Sequence, residues 1–338
     1  MSGRLNIGVI GLGFGSKVHV PAFRMDKRCH IAAIAGRNME KAGGIAKQLA
    51  IPVFHDDWRR IIDDREINAV SIAVPPSAQP LIVEAALEAG KHVFCEKPLA
   101  PTAAEATRLF NLAVSSGLVH AVDFIFPELP VWMKAFELIH GNKIGQVRHA
   151  SLDWNVETYA SRMNLASWKN DPDCGGGVLN NFVSHVVHNL EWLLGRIRSV
   201  NACLRGPASR AETRVNATLD LESGGSVFIS VASDAFLGNG HRLAVYGESG
   251  TLVVENRTSD YASGFQLWVG TRDTGSMELL AGDSPQPGMD GRIAPVARIA
   301  SRFTDAILGG VEMRPDFSNG LRTQFVLDKM RISSETDS

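Results

Sequence analysis

Short apolar runs alternate with amphipathic stretches over the first 124 residues of the chain. The runs at 5–10, 31–35 and 69–74 are continuous, which is typical of parallel strands buried on both faces. Strands that alternate with helices in this way predict an α/β fold with a doubly wound parallel sheet. The remaining predicted elements are strands at 91–94 and 118–124 and helices at 17–25, 39–49, 80–89 and 103–116.

After about residue 126 the apolar and polar residues alternate with a period of two, which indicates half-buried strands. Glycine-containing turns at 223–225 and 247–250 connect these strands, as in the hairpins of an antiparallel sheet. We therefore predict two domains: 1–124 with the parallel sheet, and 125–338, an α+β domain with an open, mainly antiparallel sheet. For the C-terminal helical segment, packing back on the first domain is the alternative. The predicted elements are strands at 151–157, 200–205, 216–221, 226–232, 242–246 and 251–255 and helices at 131–139, 178–194, 295–308 and 320–333.

The alternation at 227–232 and 243–246 also predicts an apolar face on the second sheet. An uncovered apolar face is a site of association between copies. We therefore expect a homodimer or a homotetramer.

Composition narrows the class of protein. The 338 residues fit about two globular domains, and the net charge of −2 gives no electrostatic case for nucleic acid or an anionic membrane. No apolar run approaches the roughly 20 residues of a membrane helix, and the first strand begins too early for a signal peptide. The 4 cysteines are scattered without a C-x-x-C pair, which indicates reduced thiols in a cytoplasmic protein.

A glycine-rich turn, Gly11-Leu12-Gly13-Phe14-Gly15-Ser16, follows the first strand. In this position such a turn binds the pyrophosphate of a dinucleotide: Gly11 permits the tight turn and Gly13 lets the backbone approach the phosphates. The third glycine position is occupied by Ser16, which is small enough for contact between helix and strand. We assign Gly11, Gly13, Phe14 and Gly15 to the cofactor site, together with Pro75, which follows a later strand.

Arg37 bears on the choice between NAD and NADP. An NAD site places a carboxylate after the second strand to accept from the ribose 2′-hydroxyl, but here the strand is followed by Gly36-Arg37-Asn38. The guanidinium of Arg37 can clamp a 2′-phosphate. We therefore expect NADP(H) to be favoured over NAD(H).

Glu96-Lys97-Pro98 follows the strand at 91–94, so that it lies at the carboxyl edge of the same sheet. Ligands of doubly wound sheets bind at this edge. A lysine there can hydrogen-bond a substrate oxygen beside a nicotinamide. We assign Lys97 a catalytic role and place Glu96 and Lys97 in the cofactor site.

The chain resembles the glucose-fructose oxidoreductase and inositol dehydrogenase family (Gfo/Idh/MocA) over nearly its whole length. The resemblance implies an N-terminal Rossmann domain and a C-terminal α/β domain with an open sheet. It also implies hydride transfer between a nicotinamide cofactor and a carbinol or carbonyl of a sugar, cyclitol or related small molecule. The segments that carry it are 8–13, 68–75, 89–98, 144–147, 175–185, 192–195, 245–252 and 319–322.

The same resemblance implies that His185 is the proton-transfer residue. The family's aspartate, four residues earlier, is Asn181 here, which can orient a substrate hydroxyl but cannot carry a negative charge. His185 and His188 lack the carboxylate or cysteine spacing of a metal site, so we predict no metal.

Three further residues, Trp154, Trp168 and Lys169, match positions that face the substrate in the family. Aromatic rings pack on sugar C–H faces and polar groups bind hydroxyls. Ordinary core packing is the alternative for both tryptophans.

Two other functions share this fold and stay open at this point. One is a non-catalytic cofactor-binding sensor or regulator, to which Asn181 gives some weight. The other is a redox-assisted glycosidase-type enzyme. The presence of both Lys97 and His185 favours the dehydrogenase.

Overall fold

The computed structural model describes residues 4–163, 165, 167–284, 288 and 290–336. The chain forms two compact units. The first contains the residues up to Phe124 together with Arg292–Gln324, and the second contains Ile125–Gly291 and the residues from Phe325 onward. The segment 292–324, which the sequence analysis counted with the second domain, therefore lies in the first unit.

A six-stranded sheet forms the centre of the first unit, with the strand order β3-β2-β1-β4-β5-β6. All its strand pairs are parallel, which confirms the predicted doubly wound sheet. In this strand order β1 and β4 are the neighbours at which the chain reverses direction across the sheet, where dinucleotides bind. The strands are β1 (Leu5–Ile10), β2 (Cys29–Ala35), β3 (Val53–His55), β4 (Ala69–Ile72), β5 (His92–Cys95) and β6 (His120–Val122).

The predicted helices of the first unit are observed within a few residues of their expected bounds, and the short helix Arg59–Asp63 is an element that the sequence analysis did not predict. The predicted helix at 17–25 consists of a π-helical turn, Gly15–His19, that continues into the short helix α1. The predicted helix at 103–116 is observed with the same bounds, because the Thr102 side chain caps its first turn and Gly117 ends it with φ +66°. The helices are α1 (Val20–Arg24), α2 (Met39–Gln48), α3 (Arg59–Asp63), α4 (Gln79–Glu88), α5 (Ala103–Ser116), α9 (Ile293–Gly309) and α10 (Phe317–Thr336), of which the last begins in this unit.

Both faces of the first sheet are covered. Phe94 of β5 packs edge-on against Phe23 of α1 and Phe303 of α9. Its neighbours Val93 and Cys95 belong to the core on the other face, which includes residues of α3, α4 and α5. This double coverage explains the continuous apolar runs of the strands.

The second unit is built on an eight-stranded sheet with the order β14-β13-β12-β11-β7-β10-β9-β8. β7 and β10 are parallel and all other neighbours are antiparallel, so that the predicted mainly antiparallel sheet is confirmed. The strands are β7 (Val147–Asn155), β8 (Ile197–Arg205), β9 (Arg214–Leu221), β10 (Ser226–Ala232), β11 (Gly240–Gly247), β12 (Gly250–Asn256), β13 (Gln266–Thr271) and β14 (Glu278–Gly282).

One face of this sheet packs against helices of its own unit: α6 (Pro130–His140), α8 (Ser184–Leu194) and the C-terminal part of α10. The short helix α7 (Tyr159–Arg162) has no buried residues. Val227, Ile229 and Val231 all belong to this core. The apolar alternation that motivated the oligomer prediction is therefore covered within the chain itself. On the opposite face, Phe228 of β10 is 52% exposed.

In the part of the chain that the structure describes, no helix has both the length and the apolar character needed to cross a membrane.

Candidate active site

The glycine-rich turn leaves β1 at the carboxyl edge of the first sheet. Gly11 has φ +128°, and its N–H donates to Ala35 O of β2 at 2.9 Å. A Cβ atom at Gly11 would lie 2.1 Å from Ala73 O, beside the end of β4. Only glycine fits this conformation and this contact.

Gly13 and Gly15 differ in their surroundings. A Cβ atom at Gly13 would meet no atom within 4 Å, whereas one at Gly15 would lie 3.1 Å from Val9 Cγ1 of β1. The close contact between helix and strand is therefore made by Gly15. Ser16, at the third glycine position of the motif, donates its hydroxyl hydrogen to the carbonyls of Leu12 and Gly13.

The open side of Gly13 fits the approach of a dinucleotide pyrophosphate to the backbone. Phe14 is half-buried, and the guanidinium of Arg292 lies 5.1 Å from the centre of its ring. Pro75 is half-buried in the turn after β4, where its carbonyl accepts from Ala78 N–H.

Arg37 is exposed just after β2, in the segment before α2. Within the described residues its guanidinium makes no hydrogen bond or ion pair. Nearby, Asn38 caps α2 by accepting from Lys41 N–H. An unengaged guanidinium at this edge is able to bind an anion.

Glu96 and Lys97 follow β5 directly. Glu96 N–H donates to Ile72 O of β4 at 2.9 Å, and Glu96 O accepts from the buried side-chain amide of Gln79 at 2.7 Å. The same amide donates to the carbonyls of Pro98 and Leu99. These bonds fix the backbone on both sides of Lys97, whose side chain is half-buried.

A cluster of four polar side chains, His19, Ser71, Glu96 and Asp123, lies beside Lys97, and we call it the His19 cluster. His19 is fully buried. Its Nδ1 lies 2.7 Å from Ser71 Oγ, and its Nε2 lies 3.1 Å from Glu96 Oε1 and 3.4 Å from Asp123 Oδ2. Because Ser71, Glu96 and Asp123 belong to or follow β4, β5 and β6, one imidazole connects three strands at the carboxyl edge.

The protonation of the His19 cluster departs from that of free side chains. Burial alone lowers the pKa of His19, but the hydrogen bonds and charges of Asp123 and Glu96 outweigh it and raise the pKa to about 9. Burial and the charge of Glu96 raise the pKa of Asp123 to about 7, against the effect of its bond with His19. Burial opposes ionisation of Glu96 as well, yet His19 and the charge of Lys97 hold its pKa below the usual value. At neutral pH, therefore, an imidazolium faces one ionised carboxylate and a second that is partly protonated.

Among the residues that the structure describes, the imidazole and the two carboxylates of the His19 cluster form a group whose composition suits a metal ion. A proton on His19 Nε2 occupies the same space between the two carboxylates at hydrogen-bond distances. That the protein functions without a metal ion stays a prediction.

From the sequence alone, His19 is interpreted as a core histidine, with lining of the cofactor cleft as the alternative, and no motif connects it with the carboxylates. The three residues are 77 and 27 positions apart in the chain, counting from 19 to 96 and from 96 to 123. The available signal was that Glu96 and Asp123 each follow a strand directly, so their side chains meet at one edge if the two strands are neighbours.

In the second unit, His185 lies in the first turn of α8, and its side chain is buried. A π-helical turn, Leu179–Val183, precedes α8, so that the predicted helix at 178–194 is present but wider at its start. Glu212 holds this start: its carboxylate accepts from Leu179 N–H and its carbonyl from Val178 N–H, both at 2.9 Å. Burial raises the pKa of Glu212.

Asn181 lies in this π-helical turn and is half-buried. Its side-chain amide donates to Gly177 O at 2.8 Å and, more weakly, to Lys169 O at 3.4 Å. The second bond joins the helix start to the segment that carries Trp168 and Lys169. Asn181 therefore orders the backbone around the predicted substrate residues.

Trp168 and Lys169 lie in a short 3₁₀ turn, where the ammonium of Lys169 lies 5.9 Å from the centre of the Trp168 ring. Trp168 is half-buried and Lys169 is exposed, so both can meet a ligand. Trp154, near the end of β7, is only 2% exposed. It stacks on His241 at 4.4 Å and meets the edges of Phe126 and Phe182, which is the surrounding of a core residue.

His241 of β11 connects Trp154 with the rest of this aromatic cluster. Phe126 lies at 5.2 Å from both His185 and His241. Burial lowers the pKa of His241 to about 3, so its imidazole is neutral at physiological pH. The sequence analysis did not select His241, because a single histidine within an apolar strand carries no motif.

Comparison with known proteins identifies the class to which this arrangement belongs. Residues 5–124 match the model of an oxidoreductase family with an NAD-binding Rossmann fold, and residues 132–253 match the GFO/IDH/MocA C-terminal domain. An uncharacterized oxidoreductase of Synechocystis sp. is 30% identical over 97% of this chain and 93% of its own length. The chain belongs to the GFO/IDH/MocA family.

Two other relatives have named substrates. Levoglucosan dehydrogenase of Pseudarthrobacter phenanthrenivorans is 32% identical over 59% of this chain and 54% of its own length. D-xylose 1-dehydrogenase (NADP(+)) 2 of Haloferax volcanii is 26% identical over 67% of this chain and 69% of its own length. A structure of levoglucosan dehydrogenase with NADH and levoglucosan shares the fold, with a TM-score of 0.88, 24% identity and coverage of 99% of this chain and 98% of the other.

These matches confirm the predicted family, fold and enzyme class: the chain is an NAD(P)-dependent oxidoreductase that acts on a small molecule. They favour this function over a non-catalytic sensor and over a redox-assisted glycosidase. They do not distinguish NADP from NAD, because one relative is named for NADP(+) and another was solved with NADH.

Proposed function

We propose that the protein is a dehydrogenase or reductase that transfers a hydride between a nicotinamide cofactor and a carbinol or carbonyl carbon of a sugar, cyclitol or related small molecule. The observation that carries the proposal is the position of Lys97, fixed at the end of β5 on the edge of the sheet that also carries the glycine-rich turn. The sugar names of two relatives support this substrate class.

The cofactor is held, in this proposal, by the residues around the glycine-rich turn. Gly11 and Gly15 shape the turn, and Gly13 leaves its outer side open. The nicotinamide, when bound, accepts or donates the hydride. The residues assigned to this site are Gly11, Gly13, Phe14, Gly15, Arg37, Pro75, Glu96 and Lys97.

NADP(H) is the favoured cofactor in this proposal because Arg37 is exposed and unengaged within the described residues. A guanidinium binds a phosphate through paired, charge-assisted hydrogen bonds. The usual carboxylate partner of the ribose 2′-hydroxyl is missing at this point of the sequence.

Lys97 and His185 divide the chemistry at the reacting oxygen. The Lys97 ammonium donates a hydrogen bond that polarises this oxygen, and His185 takes or gives its proton. The role of His185 follows from the family resemblance.

Asn181, Trp168 and Lys169 bind the substrate in this proposal, through the amide oxygen of Asn181, the half-buried indole and the exposed ammonium. Trp154 supports the substrate site from within the core. It packs against Phe182 and lies near His185, and its own surface is covered by protein.

The proposed assembly is a homodimer or homotetramer that covers the face of the second sheet on which Phe228 is exposed. The proposed location is the cytoplasm, supported by the scattered positions of the four cysteines, which include no C-x-x-C pair.

The test is a substrate panel of sugars, inositols and keto-sugars, each assayed with NADP(H) and NAD(H) by nicotinamide absorbance. Stoichiometric oxidation or reduction of a panel member is expected. Cofactor binding without turnover on any member would favour the sensor. Product formation from a glycoside without net change in the cofactor would favour the redox-assisted reaction.

A further inference from the structure

Asn180 lies in the π-helical turn that precedes α8, and its side chain is bonded at both ends. The residue is 3% exposed. Its side-chain amide donates to Gly175 O at 3.0 Å, and its side-chain oxygen accepts from Arg331 Nη2 of α10 at 2.8 Å. A buried amide is costly unless its donor and its acceptor are both paired. The bond to Arg331 joins the start of α8 to a helix 151 positions later in the chain.

The backbone of this turn departs from the α-helical pattern at Ser184. In an α-helix the Ser184 N–H would donate to Asn180 O, four residues earlier. Here it donates to Leu179 O, five residues earlier, and the Ser184 hydroxyl donates to Asn180 O at 2.6 Å. A side chain thus satisfies the carbonyl that the wider turn separates from its usual backbone partner.

The width of this turn bears on the direction of the His185 side chain. His185 follows Ser184 directly, and Asn181 lies inside the turn. Residues four apart lie on one face of a regular α-helix. A π-helical turn has a different rotation per residue, so the relative directions of the Asn181 and His185 side chains depend on which form the turn adopts.

Arg331 is well placed to hold the turn in its π-helical form. Its guanidinium also bonds the carboxylate of Asp328, three residues earlier on α10. Its charge acts on Glu212, whose carboxylate accepts from Leu179 N–H: burial raises the pKa of Glu212, and that bond and the charge of Arg331 oppose the rise. Two consecutive residues of the turn are therefore held from outside the helix, Leu179 by Glu212 and Asn180 by Arg331.

We propose that Arg331 is a positioning residue for His185: through Asn180 it holds the π-helical turn in the form that directs the imidazole of His185 towards the reacting oxygen. The proposal rests on the proton-transfer role of His185 proposed above. It extends that role by giving the C-terminal helix α10 a part in the reaction.

The first measurement is hydrogen–deuterium exchange, followed by mass spectrometry, on the full-length protein without cofactor or substrate. Arg331→Met removes the guanidinium and keeps an unbranched side chain. The amides of 179–185 should exchange about tenfold faster or more, as expected when a charge-assisted hydrogen bond is lost, while β7 and β11 keep the wild-type rates. Lys329→Met is the matched control, because it removes an exposed cation of the same helix and should leave 179–185 unchanged.

The second measurement is steady-state kinetics on the panel member with the highest turnover. Arg331→Met should lower kcat about tenfold to hundredfold, since misplacement of a reacting group by about 1 Å can cost about 10²-fold. The KM for NADP(H) should stay near the wild-type value, because the residues assigned to the cofactor all precede Pro98 in the chain.

A double-variant cycle tests whether Arg331 acts through Asn180. Asn180→Leu should lower kcat to a similar extent, and the double variant should be no slower than the slower of the two single variants. If Asn180→Leu does not fold, as judged by circular dichroism, Ser184→Ala takes its place in the cycle, because it removes the hydroxyl bond to Asn180 O in the same turn.

Faster exchange confined to the turn, together with a lower kcat and a non-additive double variant, supports the proposal. Unchanged exchange in Arg331→Met overturns it, and so does faster exchange with an unchanged kcat. Faster exchange throughout the second sheet also overturns it, since Arg331 would then support the whole unit. A double variant whose loss equals the product of the two single losses is a further contrary result.

The exchange measurement needs no substrate, so the two proposals can fail separately. Near-normal turnover in His185→Ala would reject the proposed active site and leave the exchange result unaffected. A His185 that is essential for turnover, together with a normal kcat in Arg331→Met, would reject the role of Arg331 alone.

Discussion

A Cβ atom on Gly11 would stand 2.1 Å from the carbonyl oxygen of Ala73. The contact joins the end of β1 to the segment after β4, and Gly11 adopts φ +128°, a conformation that other residues rarely reach. Gly11→Ala should therefore destabilise the protein by at least about 1–3 kcal/mol, the usual cost of a strained backbone position. Urea unfolding of the cofactor-free protein measures this, and an unchanged midpoint would contradict it.

Gly13→Ala is the matched variant two residues later. Because no atom lies within 4 Å of the added methyl group, the stability should change by less than about 0.5 kcal/mol. The methyl group would instead occupy the side from which the pyrophosphate approaches, so cofactor affinity should fall about tenfold or more. Calorimetric titration with NADP(H) measures the affinity, and wild-type binding would show that the phosphates do not approach Gly13.

Arg37→Ala should weaken NADP(H) binding and leave NAD(H) binding nearly unchanged. A charge-assisted hydrogen bond is worth roughly 1.5–3 kcal/mol, which corresponds to about a tenfold to hundredfold loss of affinity. Arg65→Ala is the control, since Arg65 is an exposed arginine before the amino end of β4. Equal affinity of the wild type for both cofactors, or an unchanged NADP(H) affinity in Arg37→Ala, would refute the assignment.

Lys97→Ala and His185→Ala should each slow turnover by about 10²–10⁴, the usual effect of a positioned acid–base group. Cofactor affinity should stay nearly intact in both. The double variant should lose much less than the product of the two single losses, because groups that act as a unit are not additive. Steady-state kinetics on the substrate found by the panel measures this, and near-normal rates in both single variants would reject the site.

Asn181→Asp tests the departure from the family pattern. An aspartate would introduce a negative charge one helical turn from His185 and favour the protonated imidazole, so the pH profile of turnover should move upward. The aspartate would also lose the amide donor that Asn181 gives to Gly177 O. An unchanged pH profile would mean that residue 181 does not influence the proton-transfer residue.

His241→Phe should make the protein less sensitive to acid. Burial lowers the pKa of His241 to about 3, whereas the unfolded chain binds the proton at the ordinary value of 6.5. Between these two pH values the unfolded state binds more protons, so stability falls as pH falls, by about 1.4 kcal/mol per unit for one group. The variant should lose the part of this slope that the one titrating group contributes.

Urea midpoints measured from pH 7 to pH 4 give the slope for His241→Phe. His188, whose pKa burial also lowers to about 3, remains in both proteins and should keep part of it. His140→Phe, which changes an exposed histidine of α6, is the control and should have no effect. Identical slopes in wild type and His241→Phe would be the contrary result.

Phe228→Asp should weaken self-association. The phenyl ring is 52% exposed in the middle of the second sheet, and a charge there would be buried in an interface on this face. Leu81→Asp, a similarly exposed position on α4 at 57%, is the control. Light scattering at micromolar concentration measures the mass, and a wild-type monomer would contradict the proposed assembly.

Most of the parallel strands and their helices were predictable because each carries a local signal, whereas the five-residue helix α3 was not predicted. Thr102 and Gly117 mark both ends of α5, and the buried strands are continuous apolar runs. β3 was missed because it has only three residues, of which Val53 and Phe54 are each 41% exposed. β13 and β14 were missed because no strand was predicted after residue 255. Leu267 and Val269 of β13 are nevertheless buried and alternate with more exposed residues.

The candidate site was predictable where its residues are adjacent in the sequence. It was not predictable where the fold brings distant residues together. The glycine-rich turn and Lys97 are short motifs. The His19 cluster depends on the neighbouring positions of β4, β5 and β6, which only the sheet order defines. The apolar alternation at 227–232 and 243–246 did not mark an uncovered face, because alternation does not reveal which face of a sheet the chain's own helices cover. Association through the opposite face stays a prediction.

The first unit is discontinuous in sequence, and this affects the order in which it can be completed during synthesis. Phe303 of α9 covers Phe23 and Phe94, but it leaves the ribosome only after the whole segment Ile125–Gly291 has been made. The nascent Rossmann sheet therefore carries two uncovered phenylalanines while an entire second unit emerges behind it. An expression fragment that stops at Phe124 would carry the same exposed patch permanently.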